Sequence, residues 1–147
     1  MALPTGSGTE TLHTHSFEEV DGTQSLIVGV QHHMYTVLSV VVYCVALHAV
    51  THIGKIMMIG YDNHGGDSGA EITIAQFNIQ ATETYVWKDK FSFNGYEPTG
   101  TDVFSTAAHQ TANAAQAGST AQYLKFGCDH ANDNYDITVT YLDQDWS

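Results

Sequence analysis

The sequence contains no arginine and only four lysines, Lys55, Lys88, Lys90 and Lys125, against sixteen acidic residues, a formal net charge of −12 over 147 residues. Proteins that grip nucleic acid gain affinity when Lys and Arg replace the counterions on phosphates. This chain would repel that polyanion, and an anionic membrane surface for the same reason. Charge of either sign is scarce, at 14% of residues, where about a quarter is usual. Cysteine is nearly absent. Cys44 and Cys128 cannot form a disulfide framework and read as two small buried hydrophobes, able to pair only if their strands are neighbours.

The longest apolar run, residues 34–50, is near the lower limit of about 17–25 residues for a membrane-crossing helix. It has no flanking Lys or Arg, contains Thr36, Ser39 and His48, and is rich in β-branched valine. We read it as buried β-structure that bends or breaks near residues 46–48, since one straight strand of that length would span about 55 Å. The first thirty residues are polar and acidic, unlike a signal peptide.

What is present is abundant Thr, Ser, Asn, Gln and Gly around short apolar segments. Residues 1–10, with Pro4, Gly6 and Gly8 among small polar residues, read as an extended N-terminal arm. Residues 11–147 read as one β-sandwich domain, long enough to bury a core. Period-two alternation fits residues 25–30, 34–50, 52–59, 70–79, 83–93, 102–105, 122–128 and 135–142 better than a helical period. It is cleanest at the last, where Ile137, Val139 and Tyr141 alternate with Thr138, Thr140 and Leu142. Only residues 106–118 have helical propensity, from alanine. They lack a large apolar stripe and read as a loop. About eight antiparallel strands imply an all-β fold, a two-sheet sandwich or jelly roll.

Chemical motifs are sparse. Gly66-Asp67-Ser68-Gly69 and Thr106-Ala107-Ala108-His109 imitate the segments around the nucleophile and base of chymotrypsin-like proteases, but in the wrong order and on too short a chain for a working triad. The expectation is no catalysis. His13 and His15 would share one face of a strand, a spacing that can hold a metal. His32 and His33 would point oppositely, and His48 and His52 flank the bend. No third ligand stands at a telling distance, so neither a metal site nor a cofactor is expected within one chain, although a symmetry axis could assemble one. Asp62, Asp67, Asp129, Asp133 and Asp136 fall in or near turns, without the spacing of a calcium loop. Tyr85, Trp87, Tyr96, Tyr123 and Trp146 could stack on sugars, or could belong to the core or a subunit interface.

Both ends of the chain carry a likeness. Met1-Ala2-Leu3-Pro4-Thr5-Gly6-Ser7-Gly8 and Tyr141-Leu142-Asp143-Gln144-Asp145-Trp146, with Tyr35-Thr36-Val37-Leu38-Ser39-Val40 and Val86-Trp87-Lys88-Asp89-Lys90-Phe91 between them, resemble small virion structural proteins of marine tailed phages, especially cyanophages. These pieces cover about a fifth of the chain. The resemblance implies a non-enzymatic virion protein of β-sandwich type: a capsid decoration (cement) protein, a tail component, or a fibre-tip module that recognises host polysaccharide. The first of these is expected to be a homotrimer on the capsid exterior, assembled in the host cytoplasm and bound to the major capsid protein, without nucleic acid or membrane. Leu3, Pro4, Leu12, Asp145 and Trp146 are its expected contacts. The alanine-rich segment and the many histidines depart from the shorter relatives.

Overall fold

The computed structural model describes residues 9–48, 53–60, 70–96 and 121–145. Nine strands run through these residues: β1 (Thr9–Val20), β2 (Gln24–Val28), β3 (His33–Ala46), β4 (Gly54–Ile59), β5 (Glu71–Phe77), β6 (Thr84–Trp87), β7 (Phe91–Asn94), β8 (Tyr123–Cys128) and β9 (Asn134–Asp145). Every pairing is antiparallel. One sheet has the order β1-β9-β3, with β6 and β7 both pairing the far side of β3; the other has the order β2-β8-β4-β5.

β6 and β7 pair successive parts of β3, residues 40–43 and 34–37, so they are two halves of one edge strand. Counted that way, the first strand pairs the last, β2 pairs β8, β3 pairs β6/β7, and β4 pairs β5. A long antiparallel hairpin wrapped into two sheets in this order is a jelly roll. The pairing decides between the two all-β architectures that the sequence leaves open.

The core lies between the sheets. Val37, Val40, Val42 and Cys44 of β3, Ile56 of β4, Leu124 and Phe126 of β8, and Tyr135 and Val139 of β9 are fully buried. Strict alternation would put Val37 and Val40 on opposite faces. A register shift between Val37 and Ser39 against β9 places the extra residue at Leu38 and turns both inward. Such a bulge adds one residue to one strand and reverses the parity beyond it. The edge strand breaks at the same level, at residues 88–90, so the expected single strand over 83–93 is two. A second shift, between Cys44 and Ala46, precedes the end of β3, where the break near residues 46–48 is expected. The apolar run is therefore strand as far as Ala46, and no described helix is long and apolar enough to cross a membrane.

The alternation does not single out β1, because its side chains are exposed or half-exposed along nearly its whole length. It begins at Thr9, so the last two residues of the expected arm are already strand. Residues 1–8, 102–105 and 106–118 lie outside the described residues. At one end of the sandwich, Gly29 donates its N–H to the Gln122 carbonyl at 2.8 Å, and Gln122 donates to the Gly95 carbonyl at 2.9 Å. A β-carbon on Gly29 would run into the Gly95 carbonyl oxygen, so this backbone approach requires glycine.

Candidate interaction surface

Because Ile137, Val139 and Tyr141 point inward, alternation turns Asp136, Thr138, Thr140, Leu142 and Gln144 out of the five-stranded sheet. Register then fixes the rows across this outer face. Glu10, Gln144, Met34 and Asn94 form one row, and Leu12, Leu142, Thr36 and Ser92 the next. Thr14, Thr140 and Ser39 follow, then Ser16, Thr138, Val41 and Val86, and finally Asp136, Tyr43 and Thr84. The carboxylates of these rows, Glu10 and Asp136, are in the first and last, with Glu18 of β1 beside the last.

The hydroxyls largely satisfy one another across strands. Thr14 and Thr140 oxygens are 3.3 Å apart, Ser16 and Thr138 3.1 Å, and Thr36 and Ser92 2.8 Å. At the corner, Gln144 Nε2 donates to Glu10 Oε1 at 2.8 Å. Among them stand exposed apolar side chains, Leu12 at 63% and Val86 at 43% exposure, with Met34 and Tyr43. A hydroxyl already bonded to its neighbour loses less on leaving water than a lone one. Across β1, β9 and β3 the middle rows carry no charge and are cheap to desolvate; Lys88, Asp89 and Lys90 stand at the break in the β6/β7 edge.

At the end of the sheet where Thr9 pairs Asp145, polar groups gather on the inner side. His33 Nδ1 lies 2.7 Å from Asp143 Oδ1, and its Nε2 3.7 Å from Asp145 Oδ2; His13 Nε2 lies 3.9 Å from Asp143 Oδ2. The His13 ring stacks on Tyr141 at 5.2 Å, and His15 meets the same ring edge-on at 5.5 Å. Tyr35 closes the cluster, its hydroxyl accepting the Val30 N–H at 3.1 Å. Burial pushes its phenol up to about 12, with Asp143 adding to the shift. Burial, with Asp143, likewise raises Tyr141.

No family model matches this sequence, and no curated protein does. Among solved structures the chain is similar to one from infectious bursal disease virus Gx strain, at 8% identity and a TM-score of 0.45, over 98% of this chain and 37% of that one. It is similar to a chain of the disulfide-linked pili that form Bacillus endospore appendages, at 7% identity and a TM-score of 0.42, over 100% of this chain and 97% of that one. A third similarity is to the T13 viral particle of infectious bursal disease virus, at 8% identity and a TM-score of 0.41, over 99% and 39%. The chain thus spans well under half the length of the viral chains it resembles. These are likenesses of fold.

The expected contact residues fall in two groups. Leu12 is on the outer face of β1, and Asp145 ends β9 beside His33. Leu3, Pro4 and Trp146 lie outside the described residues. Of the aromatics, Tyr85 stacks on Phe77 at 4.1 Å between the sheets, and Trp87 donates its indole N–H to the Asp89 carbonyl at 2.6 Å while packing against the core. Tyr96 forms an isolated bridge with Ala121, and Tyr123 is half-buried on β8. No ring contact joins Tyr85 or Trp87 to Tyr96 or Tyr123, so these four do not make one platform.

His13 and His15 share a face, as their spacing requires. Among the described residues no group of three or more His, Cys, Asp or Glu is arranged to hold a metal. Three aspartates instead clip the backbone: Asp136, on β9, accepts the Glu19 N–H at 3.1 Å, Asp133 that of His48 at 2.9 Å, and Asp129 that of Ile53 at 3.0 Å. Residues 61–69 and 97–120, which hold both protease-like fragments, and His52 lie outside the described residues. Cys44 and Cys128 are free thiols, and burial raises both. Sequence reasoning missed Asp143 and Tyr141 as the hub of the histidine cluster. The signal was the period of two in β9, which puts both on the inner face with Tyr135.

Proposed function

We propose that this chain is a structural subunit of a virion, a capsid decoration protein that packs its five-stranded sheet on the shell exterior. The supporting observation is that the three middle rows of the outer face carry no charged residue across β1, β9 and β3, on a chain of net charge −12, the charges of the 88–90 break standing at the edge. Interface centres are depleted in charge, and solvent-facing surfaces of so acidic a protein have no need of such a depletion. Each copy would bury apolar area worth roughly 25 cal/mol per Å² against the major capsid protein, and copies linked into an oligomer would gain avidity. Thr9 and Asp145 are register partners, so the chain enters and leaves the sandwich at one corner. Tyr85, held in a stack with Phe77, favours this reading over sugar binding. No catalytic role is proposed. Assembly in the host cytoplasm follows from a place in the particle.

Copy number in purified particles tests the proposal. Decoration predicts on the order of hundreds of copies, whereas a fibre predicts about ten. Added back to particles that lack it, the wild-type chain should bind, and Thr138→Lys should bind at least about tenfold more weakly because it buries an unpaired charge. Equal binding by the two, or absence of the chain from particles, would remove the reading.

A further inference from the structure

The edges of the two sheets are finished differently. The edge of the five-stranded sheet formed by β6 and β7 is broken at residues 88–90, and the break carries Lys88, Asp89 and Lys90. In the other sheet, β2 is five residues long with a register shift between Ser25 and Ile27, and the β4–β5 ladder is shifted between Ile56 and Met57. Short strands, bulges and lysines are how proteins keep sheet edges from pairing with other chains. β1 has none of these over its first nine residues. It is twelve residues long, pairs β9 in unbroken register from Thr9 to Phe17, and carries neither lysine nor proline. Among the described residues, no strand pairs its other side.

We propose that this edge pairs with the β1 edge of a second copy, antiparallel about a two-fold axis at His13. Charge selects the partner. Residues 11–17 contain no carboxylate and no lysine, in a chain of net charge −12. A second copy offers the same neutral stretch, and an isologous contact needs only one self-complementary patch.

Charge also selects the register. With the axis at His13, Glu10 faces Ser16 of the other copy, Leu12 faces Thr14, Thr11 faces His15, and Thr9 faces Phe17. With the axis at Thr14, Glu10 would face Glu18, and like charges directly opposite are destabilising. With the axis at His15, the ladder would run into the irregularity between Phe17 and Val20. The Tyr141 ring holds His13 and His15 at their places beside the axis. Parity is preserved, so the hydroxyl rows of one copy continue into the other as one face. The contact is two-fold, and the homotrimer expected from sequence would need a separate surface.

This inference rests on reading the chain as an assembly subunit, and the two fail differently. Sedimentation equilibrium of the full chain at about 100 µM should give twice the 16.0 kDa chain mass. His13→Lys, which apposes two ammonium groups at the axis, should weaken the dimer at least about tenfold with an unchanged circular-dichroism spectrum. Thr14→Lys should weaken it less, and Val86→Lys, on the other edge, should not weaken it. A monomeric wild type, a dimer indifferent to His13→Lys, or a larger effect of Thr14→Lys than of His13→Lys would overturn the proposal. A monomer that loads particles at full copy number removes edge pairing and leaves the structural role; a dimer found in no particle does the reverse.

Discussion

On one face of β9, Tyr135, Ile137, Val139 and Tyr141 are at most 6% exposed; on the other, Thr138, Thr140 and Leu142 are half-buried and meet solvent. The inner residues hold the fold together. The outer threonines pair their hydroxyls across strands, and the middle rows there carry no charge across β1, β9 and β3. The outer side of the four-stranded sheet is different again, with Lys125 Nζ 3.9 Å from Glu71 Oε1 and Lys55 nearby on β4. Of the two exposed sheet faces, the one that shuns charge is suited to another protein surface, and the one that keeps ion pairs is suited to water. The proposed packing role rests on that asymmetry, with stability and contact on opposite sides of the same strands.

The sharpest break of the comparison is a cavity on the inner side. Ile137→Ala should destabilise the chain by about 2–5 kcal/mol, read as the denaturant midpoint at unchanged m-value. A cost below about 1 kcal/mol would mean that β9 does not carry the core and that its two faces are less distinct than their burial indicates.

A smaller effect is expected where the inner side becomes polar. The Tyr35 hydroxyl accepts the Val30 N–H at 3.1 Å, and Tyr35→Phe leaves that donor without its acceptor. We expect a loss of about 1 kcal/mol, measured by the same titration. No loss would show that water replaces the phenol and that the end of the sheet with His33 and Asp143 is open rather than packed.

Much of this division could be read before any coordinates. The alternation at residues 135–142 gave both faces of β9, and the scarcity of charge in 34–50 pointed to burial. What alternation misreads is β3, because the extra residue at Leu38 inverts parity midway, and a bulge has no fixed sequence signature when all its neighbours are apolar. The same limit applies to β5, where the shift opposite Ile56 and Met57 leaves Ala75 and Phe77 buried and Ile72 47% exposed. β1 was illegible for another reason: a strand stabilised by its neighbour's backbone, with both faces open, need not alternate. The acids in or near turns gave no calcium-loop spacing, and nothing in the sequence says what they do instead. Only coordinates show that Asp129, Asp133 and Asp136 accept N–H groups from other parts of the chain.

The finest distinction concerns one atom. The Tyr135 hydroxyl is buried and finds no hydrogen-bond partner among the described residues, while its ring meets Phe126 edge-on at 5.1 Å. Burial pushes its phenol far above the ordinary tyrosine range, with Cys44 and Asp133 adding to the shift. Tyr135→Phe keeps the ring contact and removes an unsatisfied oxygen, so at neutral pH stability should change by no more than about 0.5 kcal/mol, or rise. Alkali should separate the two proteins. Above the free tyrosine value of about 10 the unfolded chain releases the phenolic proton and the folded chain keeps it, so stability present at lower pH is lost as pH rises toward the folded value. Wild type should therefore lose melting temperature between about pH 10 and 12 faster than Tyr135→Phe does, with the other groups that burial raises, Tyr35, Tyr141, Cys44 and Cys128, supplying the slope that remains. Parallel curves would mean that the Tyr135 hydroxyl reaches solvent or a partner, and that the inner face of β9 is wetter at its start than its exposure implies.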